Sequence, residues 1–284
     1  MIKLTIIPLY FAIIICSCTE LSDLKQDNNQ IPDNVVIISE DSFMRDTIIS
    51  STHGKFGKYA RFYDHCDATI GISSSRYYPL GDETIMAFYE PSGEKKTKVS
   101  SEDEQAFGIQ INGINVFAPV TRSGTGTIAR LFGHQLSFNL PGINSSTRSS
   151  DDSSLYAPEI VRIESPSIES AESRYPLCYF KRFIVRWNRD VLNANGVIIL
   201  VKWNGTMVFG EDYPSSCVFH SVCVPDNGCV ELDESMFDGI PDAAFCHLFV
   251  LRGDVNNVDV NGTTFRLLAE SHDVLDFILV RNIK

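Results

Sequence analysis

The sequence predicts an all-β protein composed of two antiparallel β-sandwich domains. Short segments rich in β-branched and aromatic residues recur roughly every ten residues, and Gly, Pro and Asn separate them. Apolar and polar residues alternate within several of these segments, for example at Phe183, Val185 and Trp187. Apolar spacing typical of a helix is confined to one short turn at residues 231–237. These three observations together predict the fold class.

The predicted strands follow one another along both halves of the chain. The first half contains ATIGISSS, ETIMAFYE, AFGIQI, INVFAPV, TIARLFG and QLSFNL. The second half contains RFIVRW, GVIILVKWNG, SCVFHSVCV, CVEL, AAFCHLFVLRG, TTFRLLAES and LDFILVRN. The Pro and Gly of PDNG predict a turn between SCVFHSVCV and CVEL. TIARLFG follows the glycine-rich RSGTG, which lacks the Gly-Lys-Ser/Thr ending of a phosphate-binding loop, so we interpret this segment as a hairpin turn that opens a strand.

Composition divides the chain into five segments. We predict a lipoprotein signal peptide at residues 1–17, followed by a polar, acidic tether at 18–45. An N-terminal β-sandwich domain is predicted at 46–143, and a C-terminal one at 158–284. The Ser- and Asp-rich segment 144–157 is predicted to link the two domains, because it has little apolar content to bury.

The first residues have the features of a bacterial export signal. A basic start precedes about twelve mostly apolar residues, a length that suits a signal peptide and is too short for a membrane span. Cys18 follows the small Ser17, whereas Cys16 follows the bulky Ile15. The segment ICSC therefore resembles the lipobox of bacterial lipoproteins, of the kind found in Bacteroidetes, which implies lipidation of Cys18. Thr19, where an Asp would imply retention in the inner membrane, implies a lipid anchor in the outer membrane, on its cell-surface or periplasmic side.

The second half resembles the immunoglobulin-like domains of Bacteroidetes envelope and surface lipoproteins. The resemblance rests on RWNRDVLNANGVIILVKWNG and on IPDAAFCHLFVLRG, and it covers residues 156–284. It implies that the C-terminal β-sandwich is immunoglobulin-like. Such domains occur in adhesins, glycan-binding proteins, pilus-associated subunits and accessory modules of enzymes, so the resemblance implies a fold and a compartment more than an activity.

Charge and motif content exclude several classes of function. The net charge of −12 disfavours nucleic acid and anionic lipid as partners, which leaves the N-terminal lipid as the expected contact with the membrane. The sequence contains no His-Glu-x-x-His motif, no Gly-x-Ser-x-Gly motif and no Walker-type loop. We therefore predict no cofactor, no metal site, no catalytic residue and no enzymatic activity.

The cysteines that follow Cys18 give no recognisable disulfide framework. They are Cys66, Cys178, Cys217, Cys223, Cys229 and Cys246. Cys217 and Cys223 lie on one predicted strand, roughly 20 Å apart, and cannot pair with each other. Cys223 could pair with Cys229 across a five-residue hairpin loop, but small buried apolar side chains are the favoured interpretation. His220 lies on the opposite strand face from both thiols of CVFHSVC, which argues against a zinc site.

Two loops rich in Asp and Asn are candidate binding sites. NRDVLNANG offers Asp190, Asn193 and Asn195, and RGDVNNVDVNG offers a second set of oxygen atoms. Such loops can hold calcium, but Asp and Asn also bond to their own backbone in turns, and neither loop has the residue order of a known calcium loop. Turns are therefore favoured for both. The integrin-binding tripeptide at 252–254 is explained equally well by Arg-Gly at the end of a strand.

Aromatic side chains are a second group of candidate binding residues. The candidate stacking partners for a sugar ring are Tyr77, Tyr78, Tyr213, Trp187 and Trp203. Tyr77 and Tyr78 are consecutive, so on a strand one of them must point outward. Trp187 shares a strand face with apolar neighbours and is expected in the core.

These observations predict a lipid-anchored envelope protein that acts by binding or adhesion, with a glycan or a host-surface molecule as its ligand. One alternative is a structural subunit of an envelope assembly, or an accessory module, that pairs a sheet edge with a strand of its partner. A further alternative is a hydrolase with two carboxylates between the domains, because such a pair converges in space and not in sequence.

Overall fold

The computed structural model describes nine stretches of the chain. They are residues 36–38, 47–49, 66–78, 82–91, 109–116, 125–140, 153–167, 175–213 and 218–282. The predicted signal peptide, Cys18 and Cys217 lie outside them. Regular structure in the described stretches is mostly β-strand, which confirms the predicted all-β class.

The strands are numbered in chain order. They are β1 Val36–Ile38, β2 Thr47–Ile49, β3 Ala68–Tyr78, β4 Asp82–Pro91, β5 Gln110–Ile111, β6 Ile114–Asn115, β7 His134–Asn139, β8 Ser154–Ala157, β9 Ile163–Ser165, β10 Leu177–Tyr179, β11 Phe183–Trp187, β12 Val197–Met207, β13 Val218–Val224, β14 Cys229–Leu232, β15 Ala244–Val260 and β16 Thr263–Val280. Among the described residues, two helical segments accompany them, α1 at Thr125–Ala129 and a single 3-10 turn at Glu234–Phe237. The 3-10 turn coincides with the one helical turn that the sequence predicts.

Two long strands form the centre of the largest sheet. β15 and β16 pair antiparallel over their full lengths, from Ala244 opposite Leu279 to Val260 opposite Thr263. The connecting residues 261–262 are Asn-Gly, with φ values of 54° and 81°. A two-residue type I′ turn needs positive φ at both positions, and Asn-Gly adopts that conformation at low cost. This turn therefore fixes the register of the whole hairpin.

The largest sheet contains strands from both halves of the chain. Six of its strands lie in the order β13-β12-β15-β16-β3-β4. β3 runs parallel to β16 and ends opposite Leu275, and β10 pairs parallel with the end of β16, beginning opposite Ile278. Because strands of both predicted domains share this sheet, the division into two separate sandwiches is not confirmed. β8 and β1 also form strands within the predicted linker and the predicted tether.

Two smaller sheets pack against the large one, at opposite ends of the central hairpin. The sheet β6-β5-β7-β8 shares a core with β3, β4 and the tip of the hairpin, in which Ile70 and Leu136 are fully buried. The sheet β14-β11-β9 shares a second core with β12, β15 and the end of β16, in which Val185 and Phe277 are fully buried. The fold is therefore sandwich-like at both ends. The large sheet forms one layer of each sandwich, and a different small sheet forms the other layer at each end.

A buried polar layer separates the two cores. At its centre lies the guanidinium of Arg252, whose Nη1 donates to Asp226 Oδ2 at 2.8 Å. The same guanidinium donates to the carbonyl oxygens of Glu159, Ile160 and Asn188. These carbonyls belong to the segments before β9 and after β11, so the arginine ties both segments to the central hairpin. A buried charge requires such partners, because an unpaired one would cost several kcal/mol.

The segment TIARLFG is helical, and its prediction as a strand is wrong. Residues 125–129 form α1, and the chain continues in turns stabilised by hydrogen bonds from Leu131 and Phe132 to carbonyls one turn earlier. Ile128, Leu131 and Phe132 are all buried in the first core. Their spacing of three and four residues is that of one face of a helix, which outweighs their individual preference for strands.

The segment RGDVNNVDVNG is mostly strand, and its prediction as a loop is wrong. β15 continues to Val260, and Asp254 and Asp259 lie opposite Ala269 and Thr264 in the ladder with β16. The two predicted strands TTFRLLAES and LDFILVRN are likewise one strand. Pairing with a long apolar neighbour overrides the low strand propensity of Asp and Asn. Only the final Asn-Gly forms the turn.

The segment PDNG connects two different sheets. β13 belongs to the large sheet, whereas β14 pairs with β11 in the three-stranded one. A hairpin that joins SCVFHSVCV to CVEL is therefore absent, and Cys223 and Cys229 are free thiols. The physical reason is Asp226, whose carboxylate points inward and accepts hydrogen bonds from Trp187 and Arg252.

Candidate functional site

A cleft of about 190 Å³ opens on the edge of β16, at the point where β3 ends and before β10 begins. One wall is the end of β3 together with β16, and the other is β9 and the residues that follow it. The lining residues are Arg76, Tyr78, Ile163, Glu164, Pro166, Ser167, Asp273, Val274 and Leu275. The cleft therefore combines an aromatic ring, a cation and two carboxylates in a small volume.

Arg76 and Asp273 form the floor of this cleft as a bidentate ion pair. Arg76 Nε donates to Oδ1 of Asp273 at 2.8 Å, and its Nη2 donates to Oδ2 at 2.5 Å. The backbone N–H of Ile163 donates to the same Oδ2 at 2.6 Å, which ties β9 to β16. Its hydrogen bonds to the Asp273 carboxylate raise the pKa of Arg76 above its usual value, so the guanidinium keeps its charge.

Tyr78 projects into the cleft beside Arg76. Residues two apart on a strand point to the same face, and the two side chains are therefore neighbours along β3. Tyr78 is 37% exposed. Glu164 and Ser167 are exposed on the opposite wall. An aromatic face flanked by a fixed donor and a carboxylate is an arrangement that can hold a small polar ligand.

Tyr77 points to the other face of the sheet. Its hydroxyl donates to Asp276, at 2.7 Å from Oδ1 and 2.9 Å from Oδ2. The same carboxylate lies 2.6 Å from Nδ1 of His247. Burial, followed by the hydrogen bond to Asp276, raises the pKa of Tyr77 above its usual value. Tyr77 therefore fastens β3 to β16, and of the two consecutive tyrosines only Tyr78 lines the cleft.

Tyr213 is exposed, as a sugar-stacking residue should be, but it does not line the cleft. It follows β12, and its ring centroid lies 5.9 Å from that of Trp203. Its exposed fraction is 55%. Trp203 and Trp187 are both buried in the second core, as predicted for Trp187.

The predicted binding residues of NRDVLNANG mostly face inward. Asp190 and Asn193 are buried. Asn193 Nδ2 donates to Asp226 at 2.9 Å and to the carbonyl of Gly196 at 2.8 Å. Asn195 donates to the carbonyl of Gly253, in the central hairpin. These amides organise the loop around the polar layer, which agrees with their interpretation as turn residues.

Asp190 connects the sheet β14-β11-β9, which its loop follows, to the sheet β6-β5-β7-β8. Its carboxylate accepts hydrogen bonds from the hydroxyl of Tyr156, at 3.0 Å, and from the backbone N–H of Glu159, at 2.9 Å. It also accepts the N–H of Leu192, two residues further along its own loop. Burial and the bond to Asp190 raise the pKa of Tyr156 to about 12. The carboxylate oxygens of Asp190 are thus engaged within the fold.

The tripeptide at 252–254 is inaccessible. Arg252 is 1% exposed and Asp254 is 4% exposed, and both lie in the middle of β15. An integrin would need both side chains at the surface of a loop. The tripeptide is therefore part of the buried polar layer and of the central ladder.

Across the described stretches, no group of three or more His, Cys, Asp and Glu side chains is placed to hold a metal ion. Within those stretches, helices long and apolar enough to cross a membrane are also absent. None of the described cysteines, Cys66, Cys178, Cys223, Cys229 and Cys246, forms a disulfide. His220 Nε2 lies 2.8 Å from the carbonyl oxygen of Asp238.

Three residues that line the cleft, Arg76, Asp273 and Glu164, are not among the candidates that the sequence predicts. Arg76 could have been found, because it precedes the tyrosine pair and the period of two places it on the same face as Tyr78. Asp273 and Glu164 could not, because they reach the cleft only through the parallel pairing of β3 with β16 and through the packing of β9. No local pattern encodes either contact.

Comparisons with known proteins add no relative to this description. Neither the family models, nor the curated proteins, nor the solved structures that were searched contain a match to the chain.

Proposed function

We propose that this chain is a lipid-anchored protein of a bacterial outer membrane that acts by binding a glycan or another surface ligand, without catalysis. The observation that carries the binding role is the exposed ring of Tyr78 in a cleft that also contains Arg76 and Glu164. The anchor is supported by the sequence alone, through Cys18 and the small residue before it. A lipid at that position would hold the binding surface at the envelope.

Binding is favoured over hydrolysis by the state of the carboxylates. A hydrolase of the glycosidase type needs one carboxylic acid to donate a proton and one carboxylate to act as base or nucleophile. Glu164 and Asp273 both line the cleft. The two oxygens of Asp273, however, accept three hydrogen bonds from Arg76 and Ile163. A carboxylate held in this way is a structural partner of the arginine, and both of its oxygens are already engaged within the fold.

For the C-terminal half we propose an immunoglobulin-like arrangement. Three strands, β14-β11-β9, pack on four strands, β13-β12-β15-β16, around the second core. A sandwich of three strands on four has the strand count of an immunoglobulin constant-type domain. In this proposal, the sheet β6-β5-β7-β8 of the N-terminal half packs on the other end of the same large sheet and forms a second sandwich with it.

A structural role in an envelope assembly is the second candidate function. β13 is the first strand of the large sheet, and its described pairing is with β12. Between β13 and β14 lies a groove of about 220 Å³ with the apolar side chains of Val222, Val230, Leu232 and Met236 in its walls. An edge strand beside an apolar groove suits the addition of a partner's strand. Recovery of envelope proteins in a pull-down, together with no glycan binding, would favour this candidate.

Binding is tested with the full chain purified in detergent and applied to a glycan array. We expect Tyr78→Ala to weaken binding about tenfold, because ring stacking contributes about 0.5–1.5 kcal/mol. Tyr179→Ala is the matched control, since Tyr179 has the same exposed fraction of 37% and lies outside the cleft. Equal binding by both variants and the unaltered chain would remove the cleft from the proposal.

The anchor is tested by labelling with radioactive palmitate in a bacterial host. We expect label in the mature protein and none in Cys18→Ala. Cys16→Ala provides the control and should retain the label. Label that persists in Cys18→Ala would contradict a lipid on that residue.

A further inference from the structure

The charges in the cleft restrict the ligand more narrowly than the ring of Tyr78 does. Arg76 is the only cation among the described lining residues, and its charge is matched by the two hydrogen bonds to Asp273. Glu164, on the opposite wall, adds an exposed carboxylate. Near the cleft, Arg162 and Glu83 form a further ion pair of their own. The net charge of the cleft is therefore negative, as is the net charge of the whole chain, which is −12. A negatively charged ligand would meet net repulsion.

The hydrogen-bonding groups of the cleft are of two opposite kinds. The guanidinium of Arg76 has five N–H groups, and the pair with Asp273 engages two of its nitrogen atoms. It is a donor only, and its position is fixed by the pair. Glu164 is an acceptor only. A ligand that satisfies both must therefore accept on one side and donate on the other.

The spacing of these groups suits a single ring. Arg76 and Tyr78 are two residues apart on one face of β3, which separates their attachment points by about 7 Å. The volume of about 190 Å³ is smaller than the pockets of about 300 Å³ and more that take drug-sized molecules. One ring unit stacked on Tyr78, with polar groups reaching Arg76 and Glu164, fits these limits.

We propose that the cleft binds one uncharged sugar ring, with its apolar face on Tyr78 and its hydroxyl groups between Arg76 and Glu164. A hydroxyl both donates and accepts hydrogen bonds, so neighbouring hydroxyls satisfy the two walls at once. A carboxylate or a phosphate only accepts, and it would leave Glu164 facing a like charge. The cleft thereby discriminates neutral saccharides from acidic ones. This inference rests on the proposed binding function and specifies the ligand class of the same site.

The test compares each neutral sugar with its acidic counterpart. The full chain in detergent is titrated with short oligosaccharides of galactose, glucose and mannose, and with those of galacturonic, glucuronic and mannuronic acid. The two members of a pair differ only in the carboxylate at carbon 6. For the sugar pair that binds, we expect the neutral sugar to bind about fivefold more tightly than its acidic counterpart at low salt. The interaction of two exposed charges in contact has about that size. The difference should shrink as salt screens it.

Variants assign this preference to individual side chains. Glu164→Gln keeps the size of the side chain and removes its charge, and we expect it to reduce the difference between the members of a pair to within about twofold. Tyr78→Ala should weaken binding of the neutral member about tenfold. Tyr179→Ala should leave both members unchanged.

The outcomes separate this inference from the function on which it rests. Equal or tighter binding of the acidic members, still lost in Tyr78→Ala, would overturn the ligand class and leave the binding function in place. Binding of a non-saccharide surface ligand through Tyr78, with no affinity for either series, would do the same. No Tyr78-dependent binding in any format would overturn both.

Discussion

The Nη1 atom of Arg252 lies 2.8 Å from Oδ2 of Asp226, and the two side chains have exposed fractions of 0% and 1%. This ion pair occupies the polar layer between the two apolar cores. Trp187 and Asn193 donate to the same carboxylate, at 2.7 and 2.9 Å. The pair therefore connects β15, the loop before β12 and the segment that crosses between the two sheets.

We expect Asp226→Asn to lower the free energy of unfolding by about 3–5 kcal/mol, because it leaves the charge of Arg252 buried without a counter-charge. Urea denaturation followed by circular dichroism measures the change. Glu83→Gln is the control, since it breaks the partly exposed pair with Arg162 and should cost only about 0–1 kcal/mol. Equal losses in the two variants would contradict a special role for the buried pair.

Acid should destabilise the protein through His272. This side chain is buried on β16, and its Nδ1 has no hydrogen-bond partner among the described residues. Burial lowers the pKa of His272 from 6.5 to about 4. Between those values the unfolded chain binds more protons than the folded one, so the free energy of unfolding falls as the pH falls. The full shift corresponds to about 3 kcal/mol below pH 4.

The contribution of His272 is measured by urea denaturation at several pH values between 7 and 4. We expect the His272→Gln variant to lose less stability over this range than the unaltered chain, whatever its stability at pH 7. His134→Gln, at an exposed position of β7, is the control variant. An unchanged pH dependence in His272→Gln would show that other groups cause the acid sensitivity.

Gly71 lies on β3 directly opposite Leu268 of β16. A Cβ atom at this position would lie 2.2 Å from the carbonyl oxygen of Leu268, which is a backbone atom and cannot rotate away. We expect Gly71→Ala to cost at least about 1–3 kcal/mol, as overpacking does in well-packed cores. Thermal unfolding is the measurement. Gly126→Ala should instead stabilise the protein by up to about 1 kcal/mol, because Gly126 lies in α1 with open space around it.

The free cysteines should differ sharply in reactivity. Cys229 is exposed, whereas Cys178 and Cys246 are buried in the second core. Burial raises the pKa of Cys178 to about 12 and also raises the pKa of Cys246. Because the thiolate is the reactive form, a maleimide reagent should modify Cys229 within seconds and the two buried thiols only after unfolding. Mass spectrometry of labelled peptides assigns the sites, and rapid modification of Cys246 in the folded protein would contradict its burial.

The sequence predicted the strands better than their arrangement. Strand-forming composition located β3, β4, β7 and β11, and buried residues alternate with exposed ones clearly only in β7 and β11 among these four. It failed for TIARLFG, where Ile128, Leu131 and Phe132 follow helical spacing within strand-forming residues. The sharing of one sheet by both halves was not foreseen, because the Ser- and Asp-rich segment predicts a linker and no local signal encodes the pairing of β3 with β16.

The sequence predicted only part of the candidate site, again because contacts between residues distant in the chain have no local signal. The tyrosine pair lies at the strand end that borders the cleft, and alternation requires that one ring point outward. Which ring does so depends on Asp276 and His247, which hold Tyr77 on the other face. The loop residues Asp190 and Asn193 were correctly read as turn formers. Their roles in the polar layer depend on partners more than thirty residues away.

The parallel pairing of β3 with β16 determines when the protein can fold. Arg76 and Asp273 are 197 residues apart in the chain, and β3 pairs with β16 on one side and with β4 on the other. Contacts of such long sequence separation slow folding, because a large loop must close before they form. During synthesis, the edge of β3 that faces β16 therefore lacks its partner strand until β16 has been made. The large sheet is completed late, whereas the pairing of β3 with β4 needs only neighbouring residues.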